Sequence, residues 1–317
     1  MVDFFIAGKV EELIVNEWLL AGIVKVAFWL IRLLPVRMVG ALGAGCGRIA
    51  YYITRRHRTI ALTNLTRVYP HETRQWRREK ARASFAELGR TCFEFPHVFL
   101  RSKEFLLSRV DMQGEACLHD AINEGKGVFF AAAHHSNWEL GGLMLSMLGC
   151  HAHIIYRPLK NKVLEAYLKQ CRERFGARME SRLQGLRWLP KAFRNGDCIA
   201  VMIDQHMSQG TPVPFLGHLG NTTTMPAAFV LRQQTPVIGV ALERKGKGFH
   251  FTLRFWRVDM PKPGEDKQAN MVHVMQTICD SFAPVIHARP ELWLWLHRRW
   301  LILEQDKEIA KVVFGTP

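Results

Sequence analysis

From about residue 127 onward, short apolar runs alternate with stretches whose apolar residues return every three or four positions. The runs at 127–133, 151–156, 197–203, 236–242 and 249–258 predict strands. Between and after them, 137–148, 162–175, 186–195, 225–234 and 265–283 predict helices. In the last of these, Met271, Val274, Met275, Ile278 and Phe282 keep helical spacing and make a core face. Strands alternating with helices predict an α/β fold, a mixed sheet flanked by helices. Before residue 127 the pattern is helical, at 18–34, 36–58 and 72–101. The 36–58 stretch is rich in Gly and Ala, which suits close packing or the surface of a bilayer.

The first helix divides the chain into residues 1–35, a membrane-anchor helix, and residues 36–317, a single domain. Trp18 to Leu34 is apolar, but its 17 residues reach about 25 Å as a helix. A bilayer core is about 30 Å thick. Glu17, Lys25 and Arg32 fall on one stripe of that helix. It therefore either spans, sinks obliquely, or lies in the interface with its polar side against the protein. If it spans, the arginine-dense stretch from Arg37 to Arg82 puts the body of the protein in the cytoplasm.

Residues 127–140 carry the candidate chemistry. An apolar strand runs into His134-His135-Ser136-Asn137-Trp138-Glu139. Ser136 or Asn137 should cap the next helix, with Glu139 in its first turn, where the helix dipole favours a carboxylate. Folding back, Glu139 could reach Nδ1 of His134 and leave Nε2 free to take a proton from a hydroxyl. His135 stands four before Glu139, so it competes for the same partner. Arg157 follows the second strand and precedes Pro158, and a fixed guanidinium there suits phosphate. Asp204 and Gln205 end the third strand, where they could hold Arg157 or a substrate head group.

His134-x4-Glu139 resembles the acceptor box of the lysophospholipid acyltransferase superfamily. It is most similar to the lipid A biosynthesis (lauroyl/myristoyl) acyltransferases. The stretches at Tyr156–Asn161, Asp204-Gln205, Val213–Gly217, Thr224–Ala228 and Pro290–Trp300 match the same family in order. Family members often carry an aromatic where His135 stands and Gly where Ser136 stands. The resemblance implies a glycerol-phosphate acyltransferase-like fold with an added N-terminal membrane helix. It implies acyl transfer from a thioester to a hydroxyl, with His134 as base and Glu139 as its partner. Oxyanion donors would be backbone N–H groups near the helix start or Arg157. The acceptor would be a lipid A precursor, acylated on the hydroxyl of a chain already on the glucosamine disaccharide. The expected donor is acyl carrier protein. The expected place is the cytoplasmic face of the bacterial inner membrane, with no cofactor. Phosphoinositol mannoside and ornithine-lipid acylation share the box and are the alternatives.

A formal net charge of +15 calls for an acidic partner. Anionic lipid, phosphorylated acceptor and acidic carrier protein all qualify. A nucleic-acid binder would also fit the charge, but no nucleic-acid motif appears, and nothing in that reading explains Trp18–Leu34. Seven scattered cysteines without a C-x-x-C predict reduced thiols, and no ligand cluster predicts a metal. Arg298-Arg299 are either phosphate ligands or a solvated pair.

Overall fold

The computed structural model describes residues 2–301. Helix α1 (Val2–Leu33) stops before Pro35, whose ring disfavours helical backbone at Leu34. Then come α2 (Val36–Ile53), α3 (Arg55–Val68) and α4 (Arg74–Leu100). The single helix expected over 36–58 is thus two, parted at Thr54. Glycine explains the packing of α2 on α4. A Cβ on Gly43 or Gly47 would collide with the backbone of Gly89 or Phe85, so only glycine lets the helices approach this closely.

Next come α5 (Lys103–Leu107), β1 (Val110–Gln113), α6 (Glu115–Asn123), β2 (Val128–Ala132) and α7 (Trp138–Met147). They are followed by β3 (Ala152–Tyr156), α8 (Lys162–Glu173), β4 (Arg178–Ser181), α9 (Leu189–Arg194) and β5 (Cys198–Met202). The chain continues through β6 (Thr211–Phe215), β7 (His218–Thr222), α10 (Met225–Gln233), β8 (Val237–Arg244) and β9 (Phe251–Arg257). It closes with α11 (Lys267–Asp280) and α12 (Ala283–Ala288).

Seven strands form one mixed sheet in the order β1-β9-β8-β2-β5-β3-β4. Every pair is parallel except β8 with β9. The strands β6 and β7 make a separate antiparallel hairpin. Buried strands with both faces covered read as continuous apolar runs, as in β2 (Val-Phe-Phe-Ala-Ala) and β5 (Cys-Ile-Ala-Val-Met). Alternate residues serve the two faces. Phe129, Ala131, Ile199 and Val201 join one core, and Val128, Phe130, Cys198 and Ala200 join the other.

Helix α1 lies along the body. Phe28 stacks on Phe99 at 6.3 Å and meets Tyr167 at 6.1 Å. The polar stripe faces the protein: Glu17 accepts from the Lys162 N–H, Lys25 lies over Tyr167, and the Arg32 carbonyl accepts from Arg101. Among the described residues no helix is long and apolar enough to cross a membrane. Of the three placements the sequence leaves open for this membrane-anchor helix, spanning is therefore not supported, because the apolar stretch is short and Glu17, Lys25 and Arg32 interrupt it.

Candidate active site

Strand register brings the candidate residues together. Ala132 of β2 pairs with Met202 of β5. Two residues past each lie His134 and Asp204, side by side at the carboxyl end of a parallel sheet, where α/β proteins place their ligands. The His134 Nδ1–H donates to Asp204 Oδ1 at 2.8 Å, and the His134 backbone N–H donates to Oδ2 at 2.7 Å. Trp293 Nε1 adds a third bond, to Oδ2, at 2.8 Å. A carboxylate is an acceptor only, so the proton sits on Nδ1 and Nε2 is left as an acceptor. Gln205 Nε2 donates to it at 3.2 Å. Asp204 is fully buried. Burial pushes its carboxyl up, but the neighbouring His134 and the three hydrogen bonds outweigh this and leave it below the usual carboxylate range.

Glu139 does not hold His134. Its oxygens accept from Arg172 on α8, Nε at 2.9 Å and Nη2 at 2.6 Å. The first turn of α7 aims Glu139 at that neighbouring helix, and Asp204 takes the place on Nδ1 expected for it. His135 turns the other way. It is buried, its Nδ1–H donates to the Leu242 carbonyl at 3.1 Å, and burial lowers its pKa. Consecutive residues point to opposite sides here, which separates the two histidines: His134 faces Asp204 and Gln205, and His135 faces Leu242.

Ser136 has φ +50°, a backbone state that favours glycine and costs another residue about 1–2 kcal/mol. Its contacts hold it there. Its N–H donates to the Leu292 carbonyl at 2.7 Å and its hydroxyl to Glu87 at 3.0 Å, while its carbonyl accepts from Thr91. Asn137 caps α7, accepting from the Leu140 N–H at 3.2 Å, and donates to Glu94 at 3.1 Å. Glu87 and Glu94 are themselves gripped by Arg244, whose side chain is 0% exposed. Its bonds to the two carboxylates run from 2.7 to 3.0 Å. Burial raises the Glu94 carboxyl, and Arg244 opposes that rise. A buried ionic cluster on α4 and β8 thus clamps the loop that carries His134.

Arg157 is exposed at the carboxyl end of β3, one strand beyond β5 and so about 10 Å sideways from the His134 strand. It is not brought onto Asp204 or Gln205. The segment after α12 also builds the site. Beyond Trp293, His297 Nε2 accepts from the His206 N–H at 2.9 Å and pins the turn after β5. Arg299 is buried, donating to the Asn221 carbonyl and Thr222, and it stacks on Phe215. It is neither solvated nor a free phosphate ligand; Arg298 alone of that pair is exposed. The backbone N–H groups of His134, His135 and Ser136 are all engaged, so these are not available as oxyanion donors. Among the described residues no group of three or more metal-ligating side chains forms.

On the His135 side of the loop runs a narrow apolar cavity of about 50 Å³, between α7 and the ends of the central strands, and His135 itself lines it. One water needs about 10–15 Å³ on this measure. Trp138 lines it and packs edge-on to the His134 ring at 5.2 Å. Gly141 and Gly142 leave it open: a Cβ there would sit 3.7 Å from Leu242 and 3.6 Å from Ile154.

A histidine with one nitrogen fixed by a carboxylate, packed against a Trp138 that lines an apolar slot, suits acyl transfer. The sequence profile of the bacterial lipid A biosynthesis acyltransferases matches residues 7–302. The chain belongs to that family. A lipid A biosynthesis acyltransferase of Haemophilus influenzae is 27% identical over 57% of this chain and 56% of its own length. The lipid A biosynthesis palmitoleoyltransferase of Escherichia coli is 25% identical over 86% of this chain and 88% of its own. A phosphatidylinositol mannoside acyltransferase of Mycobacterium tuberculosis is 24% identical over 69% of this chain and 68% of its own. Within this family the residues missed by sequence reasoning are Arg172, Trp293 in its role on Asp204, and Arg244. Arg172 and Arg244 stand far from their partners in the chain, and no local pattern marks them.

Proposed function

We propose that this chain is a late acyltransferase of lipid A biosynthesis. It moves a fatty acyl chain from an acyl carrier protein thioester to the hydroxyl of an acyl chain on a lipid A precursor. The observation that carries this is the His134–Asp204 pair, in a chain of this family. The hydroxyl displaces Gln205 from His134 Nε2 and gives its proton to that nitrogen. Such base catalysis contributes roughly 10²–10⁴ in rate. Asp204 keeps the tautomer and stabilises the imidazolium. The alkoxide forms a C–O bond at the thioester carbonyl. The tetrahedral intermediate then breaks its C–S bond, and the thiolate takes the proton back from His134. The displaced Gln205 amide is the oxyanion donor closest at hand. Arg157, exposed at the same sheet edge, takes a phosphate of the acceptor or donor. Glu139 acts at one remove, tying α7 to α8 through Arg172. The slot takes the first few carbons of the apolar chain.

The same reading places the protein on the cytoplasmic face of the inner membrane. Supporting it is a run of exposed large apolar residues on α1 and α2, among them Trp18, Ile23, Trp29, Leu33, Leu42 and Ile53. With its polar stripe turned to the protein, α1 suits burial in the interface. The mycobacterial relative supports a second reading, a phosphoinositol mannoside acceptor. The mass of lipid A from cells with and without the gene tests both. The lipid A reading predicts the loss of one acyl chain without the gene. Unchanged lipid A, with an acyl chain missing from another lipid, would favour the second.

A further inference from the structure

Where α2, α3 and α4 meet, an open groove of about 680 Å³ carries four arginines, Arg58, Arg74, Arg78 and Arg82. Three of them, Arg74, Arg78 and Arg82, recur every fourth residue on α4, so they share one face. Like charges at that spacing destabilise a helix, and cations in its first turns oppose its dipole. Folding therefore disfavours this row. The single acid of the groove, Glu79, accepts from Gln75. Two of the guanidiniums are held in place. Arg58 donates to the Tyr51 and Tyr52 carbonyls and lies over the Tyr51 ring, and Arg82 donates to the Tyr52 hydroxyl. None of these residues belongs to the site around His134.

Tyr52 joins the groove to the apolar ridge of α2. It lines the groove and is 57% exposed, and its neighbours Ile49 and Ile53 are 60% and 74% exposed. Exposed aliphatic side chains beside a row of arginines match a bilayer surface, with hydrocarbon beneath and phosphate at the level of the cations. An acidic protein would satisfy the arginines but would leave the isoleucines without a counterpart. We propose that this groove is a docking site for the phosphate head groups of anionic phospholipid. It would set the depth and tilt at which α1 and α2 rest on the membrane. The proposal rests on the membrane reading above.

Vesicle flotation of the full-length chain tests it. The vesicles are phosphatidylcholine with or without about one-fifth phosphatidylglycerol, and the variant is Arg74→Ala/Arg78→Ala/Arg82→Ala. These residues are exposed, and circular dichroism and melting report whether the fold survives the substitutions. Each cation at an anionic surface is worth about five-fold in binding, so the variant should partition about 10²-fold more weakly onto the anionic vesicles. Its binding to phosphatidylcholine should match the unaltered protein, and its salt dependence should be shallower. Inorganic phosphate should compete with the unaltered protein alone. A folded variant that keeps the preference for anionic vesicles overturns the groove. So does a variant that loses only affinity for acyl carrier protein or for the lipid A precursor. An unaltered protein that binds neither vesicle overturns the membrane reading as well. One that binds both equally overturns the groove alone.

Discussion

His134 and His135 are neighbours with opposite fates, and substitutions should separate them. His135 is buried, and its imidazole bonds a strand carbonyl. His135→Ala frees that carbonyl and enlarges the slot that His135 lines, so it should lower stability by about 2–4 kcal/mol and alter chain preference, while the folded fraction keeps its base and stays active. Chemical denaturation and initial rates check the two parts. Glu139→Gln keeps the shape but weakens a charge-assisted pair with Arg172. It should cost about 1–3 kcal/mol of stability. The pH dependence of kcat should keep its position, because Glu139 does not touch the histidine. The expectation that Glu139 would hold Nδ1 rested on proximity in the chain. What decides the contact is strand register, which sets Asp204 rather than Glu139 against that nitrogen and which no local pattern reveals.

At the scale of elements, the site is a loop clamped from behind. Arg244→Met would leave Glu94 buried without its cation and Glu87 with Arg90 alone, at 3.4 Å. A loss of about 3–5 kcal/mol is expected, with weakened turnover because Ser136 and Asn137 lose their fixed partners. Adding Glu87→Gln and Glu94→Gln should recover most of the stability, which denaturant titration can follow. The paired glycines of α7 set the slot. Gly142→Leu should lower activity with long acyl donors about ten-fold or more relative to short ones, as competition assays with mixed donors would show. The β2-loop-α7 unit was legible in the sequence because a continuous apolar run meets a capping Asn. The strands β1 and β4, of four residues each, were not, since so short a run carries no period. The hairpin of β6 and β7 was hidden by Pro212 and Pro214, which weaken a strand pattern.

Over the whole molecule, acid should be destabilising well above the carboxylate range. Burial, with Arg101 and Arg32 nearby, pushes His97 down to about 4, and burial also lowers His135 and His297. For such a group the unfolded chain binds the proton that the folded chain refuses. Stability is full above the ordinary histidine value of about 6.5 and is lost as pH falls toward the folded value. His97 and His135, both fully buried, each contribute a slope of up to about 1.4 kcal/mol per pH unit in that window. Melting temperature should therefore drop steadily from pH 7 to pH 5, and a flat profile would contradict these burials. The mixed α/β architecture was legible from alternation of strand and helix. The placement of α1 was not, because an apolar helix with a polar stripe reads alike whether it spans or lies against a protein.

The central claim is that Asp204 holds His134 as the base of acyl transfer. The most direct test is the turnover of His134→Ala, Asp204→Asn and the double variant, with acyl carrier protein thioester as donor and lipid A precursor as acceptor. Each single substitution should lower kcat by at least about 10²-fold, and the double should be little worse than either, because the pair acts as a unit. An Asp204→Asn enzyme with near-normal kcat, beside a Glu139→Gln enzyme that is inactive though folded, would contradict the account.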